Sequence, residues 1–189
     1  IGLLVLTGTP YQTYFDGAQF VHFLLGPATV SLAIPLYRQR RRLKALALPI
    51  LAATLVGVVT AALSAVGIGF LFGADPVTLI SLAPKSATAP VAMGITEKLG
   101  GLPSLTAVLV VSTGIIGAVL GTGLLRLLNC RDDAVKGFAM GLTSHGIGTA
   151  RSFQVSPTMG AFAGLAMALS AFATALILPT LLRWIGLVD

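Results

Sequence analysis

The sequence carries very little charge. Asp, Glu, Lys and Arg together make up 10% of its 189 residues, and 56% of the residues are hydrophobic. Soluble domains average about 25% charged residues, and the mean hydropathy here is +0.95. A chain with so few charges cannot cover its own surface in water, so we expect a lipid bilayer to be its solvent. The composition therefore argues against a soluble enzyme.

Cysteine and histidine are also scarce. The single cysteine, Cys130, excludes an internal disulfide and a Cys-based metal site. With only His22 and His145, we expect no multi-His metal site and no cofactor. Ser144 beside His145 offers the residue types of a hydrolase, but neighbours on a helix point away from each other and no motif orients this pair. We therefore expect no enzymatic activity.

The basic residues are unevenly distributed. Five of the 12 lie between Arg38 and Lys44, with no acidic residue among them and no interleaved aromatic residues. This pattern favours a cytoplasmic loop under the positive-inside rule and argues against nucleic acid as a partner. With that orientation the next apolar run leads outward, and Asp75 and Asp16 lie outside.

Long apolar runs dominate the rest of the chain. A transmembrane helix needs about 20 apolar residues, and charge-free runs occupy Ile1–Phe15, Ala18–Tyr37, Ala45–Ala74, Leu99–Leu125 and Ser156–Leu182. Small residues at i, i+4, such as Gly117 and Gly121, allow close helix approach and are compatible with a homo-oligomer. The pattern predicts an all-α, polytopic membrane helical bundle.

An internal repeat accounts for the order of these runs. A shift of 57 residues places Gly57 on Gly114, Ala61 on Ala118, Leu71 on Leu128 and Asp75 on Asp132. Each copy is a smooth apolar span followed by a Gly/Pro-broken segment, Val77 to Lys98 and then Gly137 to Phe153. Paired broken segments are typical of transporter binding sites, because freed backbone groups are tolerated only around a cavity or within protein.

Two arrangements of the broken segments stay open. If each re-enters without crossing, the copies are inverted and the polar loop Arg126–Lys136 is cytoplasmic. If each crosses as two half-helices, the copies run in the same sense and that loop is outside. The positive-inside rule favours the first arrangement.

The first broken segment carries one charge among helix breakers and hydroxyls. Its candidate substrate-binding residues are Pro84, Lys85, Ser86, Thr88 and Pro90. The prolines interrupt the helical hydrogen bonds, and a lysine at membrane mid-depth is costly enough to suggest function. The alternative is a structural lysine that snorkels or pairs with Glu97.

The second broken segment adds a titratable ring. Its candidate residues are Ser144, His145, Gly146, Gly148, Thr149 and Arg151. The glycines let the backbone approach a ligand, and a histidine can hold or pass a proton near neutral pH. The alternatives are a buried structural histidine and an arginine that anchors the helix at the membrane interface. Thr29, in the motif from Leu25 to Val30, is a further candidate.

Positive charge, hydroxyls and freed backbone N–H groups together favour a small anion as ligand. A proton or a sodium ion is left open as the coupling ion.

Three stretches resemble the LrgB/CidB family, also described as antiholin-like proteins or murein hydrolase export regulators. They are LLGPATVSLAIPLYRQ from Leu24, SLAPKSATAPVAMGITEKLGGLPSLTAV from Ser81 and GLTSHGIGTARSF from Gly141. The resemblance runs from about Tyr11 to Leu182, and Ser31 and Ser152 are minor departures from the family pattern. Family members usually have more chain at the N-terminus. We therefore expect residues 1–189 to be one LrgB-like transmembrane domain, truncated at its N-terminus.

The resemblance implies a multi-pass protein of the cell (inner) membrane that carries small monocarboxylates of the glycolate, glycerate or pyruvate type. It also implies a role in autolysis and cell death, together with an LrgA/CidA-like membrane partner. The alternative is a holin- or antiholin-like protein that modulates murein hydrolases without being a carrier. A carrier needs a polar site at mid-depth, whereas a holin-like protein needs only apolar spans and an oligomer face.

Overall fold

The computed structural model describes residues 7–8, 13, 16–17, 23 and 33–188. Residues 33–188 form eight helices and no strand. The helices are α1 Ala33–Arg38, α2 Arg40–Ala45, α3 Ala47–Leu71, α4 Pro76–Leu82, α5 Ala89–Lys98, α6 Pro103–Leu127, α7 Asp133–Val155 and α8 Pro157–Trp184. The predicted all-α fold is confirmed. The predicted span Ile1–Phe15 lies almost entirely outside the described residues. The same holds for the predicted span Ala18–Tyr37 up to residue 32.

Three of these helices are long and apolar enough to cross a membrane: α3, α6 and α8. At about 1.5 Å per residue, 25 residues exceed the roughly 30 Å hydrocarbon thickness. Proline fixes where two of them begin, since Pro103 and Pro157 occupy first-turn positions that need no N–H donor. The three apolar runs predicted in this part of the chain are each such a helix, with ends shifted by a few residues.

The basic segment is helical, not the loop that the sequence analysis predicts. Only Gln39 separates α1 from α2, and α2 runs from Arg40 to Ala45. Arg, Lys and Leu are good helix formers, so an exposed run of them can form a turn of helix. Arg42 forms an ion pair with Asp132, just before α7. This pair places α2 and the 128–132 loop at the same end of the bundle, called the basic end here.

Helices α4 and α5 form a hairpin that enters and leaves at the other end of the bundle. Asp75 caps α4 by accepting a 2.7 Å hydrogen bond from the Thr78 N–H. The return of α5 is visible in the packing, because Leu79 of α4 and Ile95 of α5 belong to one buried cluster with Val66, near the end of α3. The first broken segment therefore re-enters without crossing.

Helix α7 is a second hairpin, folded at His145, whose backbone is not helical. Its arms are residues 133–144 and 146–155. They lie side by side, since a Cβ at Gly148 would fall 2.6 Å from the Met140 carbonyl oxygen. The base is closed by the Ser156 hydroxyl, which donates to Asp133 at 2.8 Å. This segment also re-enters, and it does so from the basic end.

The two hairpins give the internal repeat its physical form. Asp75 and Asp132 are aligned with each other in the repeat and have the same structural role. Each caps the first helix of a hairpin through a 2.7 Å hydrogen bond. Because α3 and α6 run in opposite directions and each leads into its hairpin at the end it reaches, the two copies are inverted. The re-entrant arrangement is confirmed. Nine of the 12 lysines and arginines lie at the basic end: Arg38, Arg40, Arg41, Arg42, Lys44, Arg126, Arg131, Lys136 and Arg151.

Candidate functional site

The tip of the first hairpin consists of residues 83–88. Pro84 ends the helical hydrogen bonding of α4, because it has no N–H and its ring would clash with the carbonyl of the preceding turn. The chain then turns tightly, with the Ala87 N–H donating to the Pro84 oxygen at 2.9 Å. Pro90 lies in the first turn of α5, where a missing donor does no harm. Two prolines six residues apart thus produce the break that the sequence predicts.

Lys85 projects from this tip as a half-buried side chain. The predicted alternative, an ion pair with Glu97, does not form. The ion pairs between described side chains are Arg42–Asp132 and Lys136–Asp133, both at the basic end. No carboxylate among residues 33–188 therefore neutralises the Lys85 ammonium group, which leaves this charge available to an anion.

His145 forms the tip of the second hairpin. Its φ of 41° and ψ of −130° lie in a region that glycine adopts readily and other residues rarely do. The side chain is 5% exposed, and Nε2 lies 2.9 Å from the Val110 carbonyl oxygen. Because a carbonyl only accepts, Nε2 must be the donor. The contact with α6 thus fixes both the position of the ring and its tautomer.

Gly114 makes room for this ring. A Cβ at Gly114 would fall 2.6 Å from His145 Cε1 and 2.9 Å from Nε2. One turn later, Gly117 gives the same kind of space to the Ser144 side chain. The two glycines let the second tip pack directly against α6, and the sequence analysis assigned neither of them to the site.

Val110 lies between the two tips. Its side chain is fully buried in a cluster with Ala87 and Ala92 of the first hairpin, while its carbonyl accepts from His145 of the second. One turn of α6, about a third of the way along the helix, therefore contacts both breaks. The structure brings the two broken segments together, as predicted.

A narrow crevice lies beside the first tip, between α3, α8 and the first arm of α7. Its lining is mainly apolar, but it includes the side chains of Ser86, Ser170 and Thr174. Its volume is about 10 Å³, roughly the room that one water molecule needs. The structure is thus closed at this point to any organic solute. Ser170 and Thr174 were missed, although two hydroxyls one turn apart in an apolar span are visible in the sequence.

Other predicted site residues have local roles. The Thr149 hydroxyl donates to the His145 carbonyl oxygen at 2.8 Å, which satisfies backbone freed by the break. Ser144 lies 3.2 Å from the Thr143 hydroxyl. Thr88 begins α5 without a side-chain cap, and Pro90 is exposed in an outer groove with Pro179. A Cβ at Gly146 would lie 3.8 Å from the Met167 sulfur, an ordinary contact, whereas Gly148 is pressed between the arms.

Arg151 lies apart from Lys85 and His145. It is exposed, donates to the Gln154 side-chain oxygen at 2.9 Å, and lines a cavity at the basic end with Arg126. The structure therefore does not place it at the meeting point of the tips. Thr29 lies outside the described residues.

A buried hydroxyl network also escaped the sequence analysis. The Leu102 N–H donates to the Ser81 hydroxyl at 2.8 Å, and the Thr106 hydroxyl donates to the Ser81 carbonyl at 2.9 Å. Thr96 of α5 lies 2.9 Å from Thr106 through its own hydroxyl. All three side chains are fully buried. The network fastens both arms of the first hairpin to the start of α6.

The chain is similar over nearly its whole length to known bacterial proteins. The model of the LrgB-like family matches residues 1–184. YwbG of Bacillus subtilis is 35% identical over 184 residues, covering 97% of this chain and 82% of YwbG. The Holin-like protein CidB of Staphylococcus epidermidis is 31% identical over 180 residues, covering 95% of this chain and 79% of CidB.

A third relative, YxaC of Bacillus subtilis, is 36% identical over 171 residues, covering 90% of this chain and 74% of YxaC. No solved structure matches the chain. The family match covers the two broken segments and the three long apolar helices alike. On this evidence the chain is a membrane protein and belongs to the LrgB-like family.

Proposed function

We propose that this protein is a carrier of small monocarboxylate anions, of the glycolate, glycerate or pyruvate type, in the cell (inner) membrane. The basic end faces the cytoplasm. The observation that carries the proposal is the meeting of two re-entrant hairpin tips, one from each end of the bundle, at the same turn of α6 around Val110. Broken helices that meet at mid-depth are the usual way in which transporters build a solute site.

The charge of Lys85 suits a carboxylate. A cation inside a membrane protein is costly and usually marks a solute or ion pathway. Lys85 is half-buried at the tip and has no carboxylate partner among residues 33–188. Ser86, the next residue in the chain, lines the crevice. An ammonium group beside a hydroxyl offers a carboxylate one charge and several donors.

Transport requires the crevice to open. With about 10 Å³ of space it admits no carboxylate in the present conformation. The hairpins supply opposite access routes, because the first is rooted at one end of the bundle and the second at the basic end. Movement of one tip at a time would expose the shared region to one side at a time, as alternating access requires. Arg151 stands outside this region and is not part of the proposed site.

The proposal is tested by uptake of labelled pyruvate or glycolate into liposomes that contain the purified protein. We expect Lys85→Met, which keeps the aliphatic stem, to lower uptake at least about tenfold, the loss expected from removing a charge-assisted hydrogen bond. Lys98→Met is the matched control, because Lys98 is an exposed lysine at the end of the same hairpin. It should transport like the wild type.

The same uptake assay can identify the coupling ion. Histidine is the side chain that most often exchanges a proton near neutral pH. If His145 couples transport to protons, uptake should respond to an imposed pH gradient and His145→Gly should lose that response. The same measurement with an imposed sodium gradient tests sodium as the coupling ion. Equal uptake by wild type, Lys85→Met and Lys98→Met would refute the site.

The alternative function is a holin-like role, in which the protein modulates murein hydrolases without being a carrier. Two observations favour it: relatives at 31% identity are named holin-like CidB, and the crevice is closed to solutes. An LrgA/CidA-like membrane partner belongs with either function. Release of unrelated dyes of different size from the liposomes, without solute selectivity, would support the holin-like role over the carrier.

A further inference from the structure

A cluster of cations surrounds one cavity at the basic end. The cavity has a volume of about 340 Å³ and lies between the end of α6, the following loop and both arms of α7. Four of its nine lining residues are cationic: Arg126, Arg131, Lys136 and Arg151. No lining residue is acidic. This convergence differs from the basic residues of α2, which are spread over an exposed helix.

Most of these charges lack an anionic partner among residues 33–188. Only Lys136 has one, Asp133, at 3.1 Å. Arg131 and Arg151 donate to the neutral side chains of Asn129 and Gln154. Like charges that share one cavity repel each other, and an anion between them removes that repulsion.

An apolar groove adjoins this cavity. It has a volume of about 460 Å³, lies between α6 and the second arm of α7, and is lined by Ala118, Val119, Ile147, Ala150, Arg151 and Gln154. Arg151 lines both spaces. Ile147 lies against Gly114, near the middle of α6, so the groove extends from the basic end towards mid-depth. Val119, at 69% exposure, opens the groove to the surface of the bundle.

We propose that the cavity and groove together bind one anionic phospholipid of the cytoplasmic leaflet. Its phosphate contacts Arg126, Arg131 and Arg151, and an acyl chain lies along Ala118 and Ala150. Arginine pairs well with phosphate because its planar donors match the phosphate oxygens. Basic pockets between helices at the cytoplasmic side recognise anionic headgroups in this way. A soluble anion would fill the cavity but would leave the apolar groove unused.

The test is native mass spectrometry of the detergent-solubilised protein with phosphatidylglycerol, with phosphatidylcholine, or with the soluble headgroup glycerol phosphate. We expect phosphatidylglycerol to bind in preference to the other two. Arg126→Gln with Arg151→Gln should weaken that binding by about fivefold per arginine. Arg41→Gln, an exposed arginine at the same end outside the cavity, should leave it unchanged. Ala150→Phe, which fills the groove without altering charge, should weaken binding as well.

Three results would overturn the proposal. They are equal binding of phosphatidylglycerol and phosphatidylcholine, unaltered binding in the double arginine variant, and unaltered binding in Ala150→Phe. Displacement of phosphatidylglycerol by equimolar glycerol phosphate would assign the cavity to a soluble anion instead. Unfolding temperatures measured without lipid identify any variant that has simply lost its fold. The assay is independent of solute transport.

Discussion

The imidazole Nε2 of His145 lies 2.9 Å from the carbonyl oxygen of Val110, 35 residues earlier in the chain. This hydrogen bond joins the tip of the second hairpin to the turn of α6 against which the first hairpin packs. Both residues belong to the second copy of the repeat, and the first copy meets them through the Val110 side chain, which packs against Ala87 and Ala92. The bond holds His145 in a backbone conformation that is otherwise unfavourable. Substitutions at this position can therefore separate the free energy of the hydrogen bond from that of the backbone strain.

The loss of stability on replacing His145 should depend on whether the new residue tolerates the backbone conformation at this position. Ala and Gly both remove the ring and its hydrogen bond, but only Gly adopts φ 41° and ψ −130° without strain. We expect His145→Gly to be more stable than His145→Ala by about 1–2 kcal/mol. Thermal unfolding of the two variants in detergent measures the difference. Equal unfolding temperatures would mean that the native backbone at this position is not strained.

Gly114 should tolerate no side chain. A methyl group there would fall 2.6 Å from His145 Cε1 and 2.8 Å from Ile147 Cδ1, so the ring must move and its bond to Val110 weakens. We expect Gly114→Ala to lower stability by about 1–3 kcal/mol. Gly123→Ala is the control in the same helix, because nothing lies within 4 Å of its added methyl group.

The control should unfold at or slightly above the wild-type temperature, since Ala favours a helix more than Gly does. Similar effects of the two substitutions would argue that the ring does not pack on Gly114.

These packing contacts show where sequence reasoning reached its limit. The break at Pro84 was predictable, because proline acts locally. The second break was predictable only as lying between Gly137 and Phe153, since it falls at His145 and not at a glycine. The repeat was visible as well, and Asp75 and Asp132 give it a matching capping role. The hydroxyl network of Ser81, Thr96 and Thr106 was not, since it depends on which helix faces meet after the hairpin has turned back. Charge alone likewise did not show that Lys85 lies at a hairpin tip and Arg151 does not. That difference arises because the second arm of α7 folds back towards the basic end.

Asp133 should make the base of the second hairpin sensitive to acid. Hydrogen bonds from the Ser156 hydroxyl and then from Lys136 lower the pKa of the Asp133 carboxyl below its usual value of about 3.8. The carboxylate therefore contributes stability above the unfolded-state pKa, and this contribution is lost as the pH falls through the lower folded-state pKa. We expect the wild type to unfold at a higher temperature than Asp133→Asn at pH 7, with the gap closing in acid below about pH 4.

Unfolding temperatures of the two proteins across this pH range provide the measurement. A gap that stayed constant between pH 7 and the acid limit would show that the carboxylate's charge does not stabilise the hairpin base.

Both hairpins return to the end of the bundle at which they enter, and labelling of single cysteines in intact cells shows whether they do so in the membrane. In a Cys130→Ser background, a membrane-impermeant thiol reagent is applied to Phe72→Cys, Lys98→Cys and Gln154→Cys, all at exposed positions, and to the native Cys130 in a separate sample. We predict that Phe72→Cys and Lys98→Cys react from outside, and that Cys130 and Gln154→Cys react only after the cells are opened. Reaction of Phe72→Cys and Lys98→Cys from opposite sides of the membrane would mean that the first hairpin crosses, which would contradict the re-entrant arrangement.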